Sequence, residues 1–384
     1  MHTVKGETQS IAREINRKLV IDLLRKHELS CTDMAGILNL SHTAIAKILR
    51  ELESYEIIVS SNKVISNGAG RRKLNYALNV DVGIVVVVNY AQKQLLVVDI
   101  KGNILYRTTM EPVEKINISY INETITLIKD VLNQRFSKSQ LLSICIATIG
   151  MVHPETNEFI YALNIEDYRN INLRKIFKEH FDTEICVKND INLALLGEKQ
   201  AGYLAANYTN GIAVYIEDSV GSGLMLNKGL YEGSRGFAGE IGLFTYETGE
   251  RLEKLVSCKT IMQKLNQSGP KKYTDFDDVA NDYINGNPLV EQIVNDSVVV
   301  LAKSFKNILE LLDLDIIVLT GMITKLGYKY LEQIRNFIAQ YEYLSCEIVF
   351  SKLGNEVINI GAINEGITMG INKIIEDRKC SISA

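Results

Sequence analysis

No two of the chain's six cysteines have the two-residue spacing of a metal knuckle or a redox motif: Cys31, Cys145, Cys186, Cys258, Cys346 and Cys380 stand far apart. A zinc site built from them is not expected, and Cys145 and Cys186, inside apolar runs, read as small buried hydrophobes. Long apolar runs are missing too: none approaches the roughly 18 residues of a membrane span, so no membrane partner is expected and the chain is placed in the cytoplasm. What remains is an ordinary globular composition, 46% hydrophobic and 23% charged over 384 residues, long enough for a small module beside a larger two-lobed domain. The formal net charge of -4 is unevenly divided. Residues 1–75 hold 12 Lys and Arg against 8 Asp and Glu, whereas the rest holds 30 against 38. A basic end on an acidic body suits a protein that meets a polyanion with that end alone.

The basic end has the periodicities of a DNA reader. From Ser10 to His27, Ile11, Ile15, Leu19, Val20, Leu23 and Leu24 recur at helical spacing, with Arg13, Arg17, Arg25 and Lys26 expected largely outward. Ser30 starts a second helix with Asp33 as the return partner of a capping box, and Asn39 stops it. Ser41 caps a third helix whose inward stripe is Ile45, Ile48, Leu49 and Leu52, which leaves Ser41, His42, Thr43, Lys47 and Arg50 on the other face. Short polar groups followed by cations are what a helix needs in a major groove, so this is the expected recognition helix. Ile57–Val59 and Val64–Ile65 read as the two strands of a wing, and the tract Gly68–Lys73 offers Arg71 and Arg72 to phosphates or a narrow minor groove. The expected partner is a double-stranded operator, read by a homodimer or a dimer of dimers as two-fold helix-turn-helix recognition requires.

In the body, strands are expected at Val82–Asn89, Gln94–Asp99, Ile104–Thr109, Leu142–Ile149 and Glu184–Lys188, with a helix over Ile118–Gln134 and another from Asn192. A second half repeats the plan loosely, with strands at Ile212–Ile216, Gly223–Leu226, Ile316–Leu319 and Cys346–Phe350 before a terminal helix. Two such halves predict an α/β, two-lobed actin-like ATPase fold with its ligand between the lobes. Asn189 and Asp190 fall where a strand ends and a helix begins, and the glycine-rich run Gly233–Gly242 delivers Glu240. The carboxylates can accept from sugar hydroxyls and the amide between them can donate to neighbouring ones.

These segments resemble one family. Arg13–Arg17, Leu40–Ile45 and Gly70–Arg72 are similar to the N-terminal winged helix-turn-helix of ROK-family repressors, among them the xylose repressors of Gram-positive bacteria, and residues 76–384 resemble the ROK sugar-kinase-like domain. The resemblance implies a winged helix-turn-helix over 1–75 and an effector domain over 76–384. Lobe 1 then takes about 76–190 plus the C-terminal helix, and lobe 2 about 191–360. It also implies a monosaccharide effector held by Asp190 and Glu240, with Asn189, Asn164 and Gly150 beside them and Glu253 towards the anomeric side.

The same resemblance marks departures from the family's kinases. Their glycine-rich phosphate turn reads here as Asp81-Val82-Gly83-Ile84-Val85, with isoleucine and valine in place of a glycine and a hydroxyl. The second phosphate loop survives only in part as Ser219–Gly223. The family's zinc-binding histidine is Leu243, and the cysteine cluster after it is replaced by Thr245–Glu250. The expectation is a regulator without catalytic residues, bound metal or cofactor; the alternatives are a regulator whose pocket is vestigial and which answers to a protein partner or a phosphorylated sugar, and an ATP-dependent sugar kinase. Phosphoryl transfer needs small residues and N–H groups around the phosphates.

Overall fold

A computed structural model describes residues 4–61, 74–162, 165–205 and 208–383. The first helix, α1 (Val4–Lys26), is followed by the short strand β1 (Leu29–Ser30), α2 (Cys31–Leu38) and α3 (His42–Ser54). Ser30 and Asp33 form the expected capping box, and Asn39, in the left-handed region at φ 53°, ends α2 by donating its backbone N–H to Ala35 O. Ser41 Oγ accepts from Ala44 N at 3.2 Å to start α3, whose Ile45, Ile48, Leu49 and Leu52 are buried. Each such side chain contributes about 1.5–3 kcal/mol relative to exposure. The wing strand β2 (Ile58–Ser61) pairs antiparallel with β3 (Asn75–Leu78), in the register Ile58 to Leu78, and β3 also pairs with β1. Val64–Ile65, expected as the partner strand, lies outside the described residues, as do Arg71 and Arg72.

Helix α1 departs from its expected pattern. Val20, Ile21 and Leu24 are buried, but Ile15 and Leu19 are exposed. Arg17, expected outward, is only 8% exposed, because with Arg13 it grips Glu51 of α3 (Arg13 Nη2 to Glu51 Oε2 2.5 Å; Arg17 Nη1 to Glu51 Oε1 3.4 Å). Two guanidinium groups on one carboxylate outweigh the helical spacing of two apolar side chains. Arg25 is drawn inward as well, for a contact described below.

The body has two five-stranded sheets of one topology. In lobe 1 the order is β10-β7-β4-β5-β6, from β4 (Ile84–Asn89), β5 (Gln94–Asp99), β6 (Ile104–Thr109), β7 (Leu141–Thr148) and β10 (Glu184–Asn189). A small hairpin of β8 (Met151–Val152) and β9 (Phe159–Tyr161) stands apart from it. In lobe 2 the order is β13-β12-β11-β14-β15, from β11 (Gly211–Ile216), β12 (Val220–Leu226), β13 (Gly229–Leu230), β14 (Ile316–Thr320) and β15 (Glu347–Phe350). In each sheet the first three strands form an antiparallel meander and the last two add in parallel, the repeated plan of the actin-like fold. Both faces of β4 are buried, which explains its unbroken run of valines. Helices α4 (Ile118–Arg135) and α5 (Leu173–Lys178) cover one face of the lobe 1 sheet. The other face carries α6 (Asp190–Ala201) and the terminal α12 (Val357–Ser383). In lobe 2, α7 (Glu253–Val256), α8 (Cys258–Ser268), α9 (Phe276–Ile284), α10 (Pro288–Leu312) and α11 (Gly327–Ile338) build the larger core.

Helices α6 and α12 join these parts. They cross where Gly197 meets the Val357 carbonyl and Gly361 meets the Leu193 carbonyl, so closely that a Cβ on either glycine would overlap backbone. On its other side α6 takes the glycines of β12: a Cβ at Gly221 would lie 2.8 Å from Ile191 Cγ1, and one at Gly223 2.8 Å from Leu195 Cβ. These two glycines, read from sequence as the remnant of a phosphate loop, are accounted for by strand-on-helix packing. Further along, α12 shares a continuous core with the N-terminal module: Ile363, Ile367 and Ile371 belong to the same cluster of buried side chains as Val20, Leu24, Ile45 and Leu49. Among the described residues no helix is long and apolar enough to cross a membrane.

Candidate functional site

Between the lobes lies a cavity of about 480 Å³, floored by the junction of β10 with α6 and walled by the β4–β5 turn, the β11–β12 turn and the glycine-rich loop. Asn189 ends β10 and caps α6: its Oδ1 accepts from Ile191 N (2.9 Å) and Asn192 N (3.1 Å), while Nδ2 donates to Gly150 O (3.0 Å). The side chain is a strut that holds the floor and keeps one amide hydrogen free. Gly150 has φ +99°, and a Cβ there would sit 2.6 Å from Ala162 Cβ, so only glycine lets the wall close against β9. Asp190 is the first residue of α6 and faces the cavity. Withdrawal from water pushes its carboxyl up to about 7; Glu217 adds to the rise, and backbone N–H groups of Ile191 and Asp190 oppose it.

Glu240 reaches the cavity from the opposite side. Gly239 (φ +91°) lies against the Ser222 carbonyl, and Ser222 Oγ donates to Gly239 O, which pins the loop to β12. Burial, with the charges of Asp190 and Glu253 behind it, raises the Glu240 carboxyl to about 7. Glu253, at the start of α7, lines the same cavity beside Arg251. The structure thus brings Gly150, Asn189, Asp190, Glu240 and Glu253 together, and Asn164 lies outside the described residues.

Sequence reasoning missed Gln92, Tyr215, Glu217 and Asp218, which line the same cavity. Tyr215 Oη donates to Glu217 Oε1 at 2.8 Å, and burial, with Asp218 next, raises the Glu217 carboxyl. The signal was the pair Glu217-Asp218 at the end of a buried strand, hidden by reading the turn from Ser219 onward as a phosphate loop.

One expectation is corrected. Asp81–Val85 does not form a turn at the cleft. Val80–Val82 is a 3-10 turn at the start of β4, and Gly83 packs against Gln140 O and Leu142, at the end of the sheet away from the cavity. The turn that reaches the cleft leaves the other end of β4, at Tyr90–Lys93. It holds no glycine, and a polar network ties it down. Asn89 Nδ2 donates to Gln92 Oε1 (3.0 Å) and Asn359 Oδ1 (2.8 Å), Gln92 Nε2 donates to Asn355 O (2.6 Å), and Asn359 Nδ2 donates to Gln94 Oε1 (2.9 Å). A turn braced by side-chain amides is poorly suited to cradle phosphates.

The zinc implied by the family resemblance does not fit the residues present. Glu240-Ile241-Gly242-Leu243 is a 3-10 turn, and Thr245–Arg251 folds on itself through the Thr245–Arg251 bridge and Tyr246 N to Glu250 O, without histidine or cysteine. Among the described residues no group of three or more His, Cys, Asp or Glu side chains could hold a metal ion.

At the other end of the molecule, Ser41, His42, Thr43, Lys47 and Arg50 are exposed along one side of α3. Arg50 Nε donates to Ala46 O (3.2 Å), which lays that side chain along its helix. Helix α1 is fastened to the body by Arg25 Nη1 to Asn364 Oδ1 of α12 (2.5 Å), and the end of α12 reaches back through Arg378 Nη2 to Glu56 Oε2 (2.7 Å).

Comparison with known proteins fits this arrangement. Residues 88–364 match the model of the ROK family. A xylose repressor of Lactiplantibacillus pentosus is 25% identical over 328 residues, 81% of this chain and 82% of its own length. A solved ROK family transcriptional regulator, described as a homologue of the E. coli MLC protein, aligns at a TM-score of 0.78 and 18% identity over 95% of this chain and 99% of its own, a share that takes in the N-terminal module. A ROK family glucokinase from Streptomyces griseus, solved with glucose and AMPPNP, aligns at a TM-score of 0.61 and 17% identity over 74% of this chain and all of its own. With the matched span running from the end of β4 into α12, and so enclosing both lobes and the cleft between them, the chain belongs to the ROK family.

Proposed function

We propose that the chain is a cytoplasmic, sugar-responsive transcriptional repressor of carbohydrate-utilisation genes. In this reading α3 enters the major groove with Ser41, His42, Thr43, Lys47 and Arg50, Arg71 and Arg72 add contacts outside it, and two copies read a palindromic operator. A monosaccharide, xylose or a related sugar, is held by Asp190 and Glu240, with Gly150, Asn164, Asn189 and Glu253 around it. The xylose repressors among the relatives support this choice of ligand class.

One observation carries the reading: a single helix touches both ends of the mechanism. Ile358 in the first turn of α12 lines the cleft, Gly361 crosses α6, which begins at Asp190, and Asn364 one turn later holds Arg25 of the DNA-reading module. A ligand that binds one lobe arrangement better than the other thus has a route to the spacing of the paired readers. Phosphoryl transfer is disfavoured by the amide-braced turn at Tyr90–Lys93, so we assign no catalytic residue and no cofactor.

Fluorescence anisotropy with duplexes from the gene's own promoter region at low salt tests the proposal. Binding is expected, with a midpoint that a neutral pentose or hexose shifts at least about fivefold, the lower end of ordinary allosteric coupling. Asp190→Ala is expected to abolish the shift. Failure to retain any such duplex would remove the DNA half of the proposal.

A further inference from the structure

The lining of the cleft is electrically lopsided. Asp190, Glu217, Asp218, Glu240 and Glu253 face the cavity, against the cations Lys93 and Arg251. The two carboxylates that sequence reasoning overlooked sit side by side on the β11–β12 turn. Glu217 is fixed there on three sides: its N–H donates to Ser219 O (3.0 Å), its carbonyl accepts from Cys258 N (2.8 Å) and its carboxylate accepts from Tyr215 Oη. The cation that acts on Glu217 from behind, Lys325, is paired with Asp277 at 2.5 Å. The other place where an anion could settle is the amino end of α6, where free N–H groups and the helix dipole attract negative charge. It is closed, because Asn189 Oδ1 takes the N–H groups of Ile191 and Asn192.

We propose that Glu217 and Asp218 act as the charge filter of the cleft: they admit sugars that are uncharged or carry an ammonium group and turn away sugars that carry a phosphate. This rests on the reading of the cleft as a sugar site and narrows its ligand class. A phosphate monoester carries about -1.5 to -2 charges at pH 7. The half-buried Glu217 repels it more strongly than it would in water, and the exposed Asp218 beside it adds a weaker repulsion that salt screens. An ammonium group in the same place relieves the mutual repulsion that burial imposes on Asp190, Glu217 and Glu240. Lys93 and Arg251 sit on other walls and serve hydroxyls as donors equally well.

Calorimetry on the full chain tests the filter with D-glucose, D-xylose, D-glucosamine and D-glucose 6-phosphate as probes, on wild type and on Glu217→Gln with Asp218→Asn. Wild type is expected to bind glucose 6-phosphate at least about 100-fold more weakly than the best of the other three. The double variant is expected to bind glucose 6-phosphate at least about tenfold more tightly than wild type, a difference that added salt reduces. Glutamine keeps the acceptor for Tyr215; if the double variant does not fold, Asp218→Asn alone is expected to give a gain of the same sign. Tight binding of glucose 6-phosphate by wild type overturns the proposal, and so does a folded variant that gains nothing. If no neutral or amino sugar binds either protein, the sugar-effector reading falls, while the gain or its absence with glucose 6-phosphate still decides the filter.

Discussion

Helix α3, proposed above as the DNA reader, and the cleft place their polar groups in opposite circumstances. On α3, His42, Thr43, Lys47 and Arg50 stand in water, so they contribute little to the fold and leave the stripe of Ile45, Ile48, Leu49 and Leu52 to hold it. In the cleft, Asp190 and Glu240 are withdrawn from water and kept near neutral pH in their titration, a state the surrounding fold must stabilise. One site can therefore be altered without cost to the scaffold, whereas the other holds strain that a ligand can relieve. Substitutions should separate the two: binding changes alone on α3, binding and stability changes of opposite sign in the cleft.

The largest effect is expected at the helix crossing that joins them. Gly361→Ala places a methyl group into the Leu193 carbonyl and against Gly197, and should cost about 3 kcal/mol or more, seen as a fall of several degrees or more in Tm. Next comes the recognition face. Replacing His42, Lys47 and Arg50 together by alanine should weaken operator binding at least about 100-fold, the sum of modest losses at each contact, with Tm unchanged to within about 1 °C. If all three tolerate alanine without loss, α3 is not the reading helix.

Asp190→Asn sharpens the comparison from the other side. Its carboxyl titrates near 7 in the folded chain and near 4 when unfolded, so the native state holds a proton that the unfolded state releases across that window. Stability conferred by that proton is complete below pH 4 and declines as pH rises through 7. Asparagine removes the decline: Tm should rise by about 2–4 °C relative to wild type at pH 8, with no gain at pH 4, while sugar affinity falls. A variant less stable than wild type at pH 8 would show that the carboxylate is not held at a cost. The smallest effect is expected for Asn364→Ala, which frees Arg25: operator affinity should stay within about threefold, but its response to sugar should shrink.

Much of this architecture was legible in the sequence, for physical reasons that differ by region. Capping residues are local, and Ser30, Asp33, Asn39 and Ser41 therefore appear at the ends of α2 and α3 as expected. Strands buried on both faces announce themselves by largely apolar runs, as β4 does with four successive valines and β7 with a run broken only by Ser143 before its final Thr148. Contacts distant in sequence were hidden. The clamp of Arg13 and Arg17 on Glu51 reverses the outward reading of Arg17, and the partner strand of β2 begins at Asn75. The misplaced phosphate turn has a similar origin: Asp81-Val82-Gly83 resembles a cleft turn in composition, and only the direction of β4 shows that the cleft lies at its other end, beyond Asn89. Glu217 and Asp218 were overlooked because a carboxylate at a strand end reads as a surface charge until the opposite wall, with Asp190, is seen.

The central claim is that occupation of the cleft and occupation of DNA are linked through α12, and thermodynamic reciprocity gives its most direct test. The affinity of the active sugar is measured by calorimetry with and without saturating operator duplex. DNA is expected to change the sugar's affinity by the same factor, at least about fivefold, by which the sugar changes the affinity for DNA. Equal sugar affinities in the two titrations would contradict it.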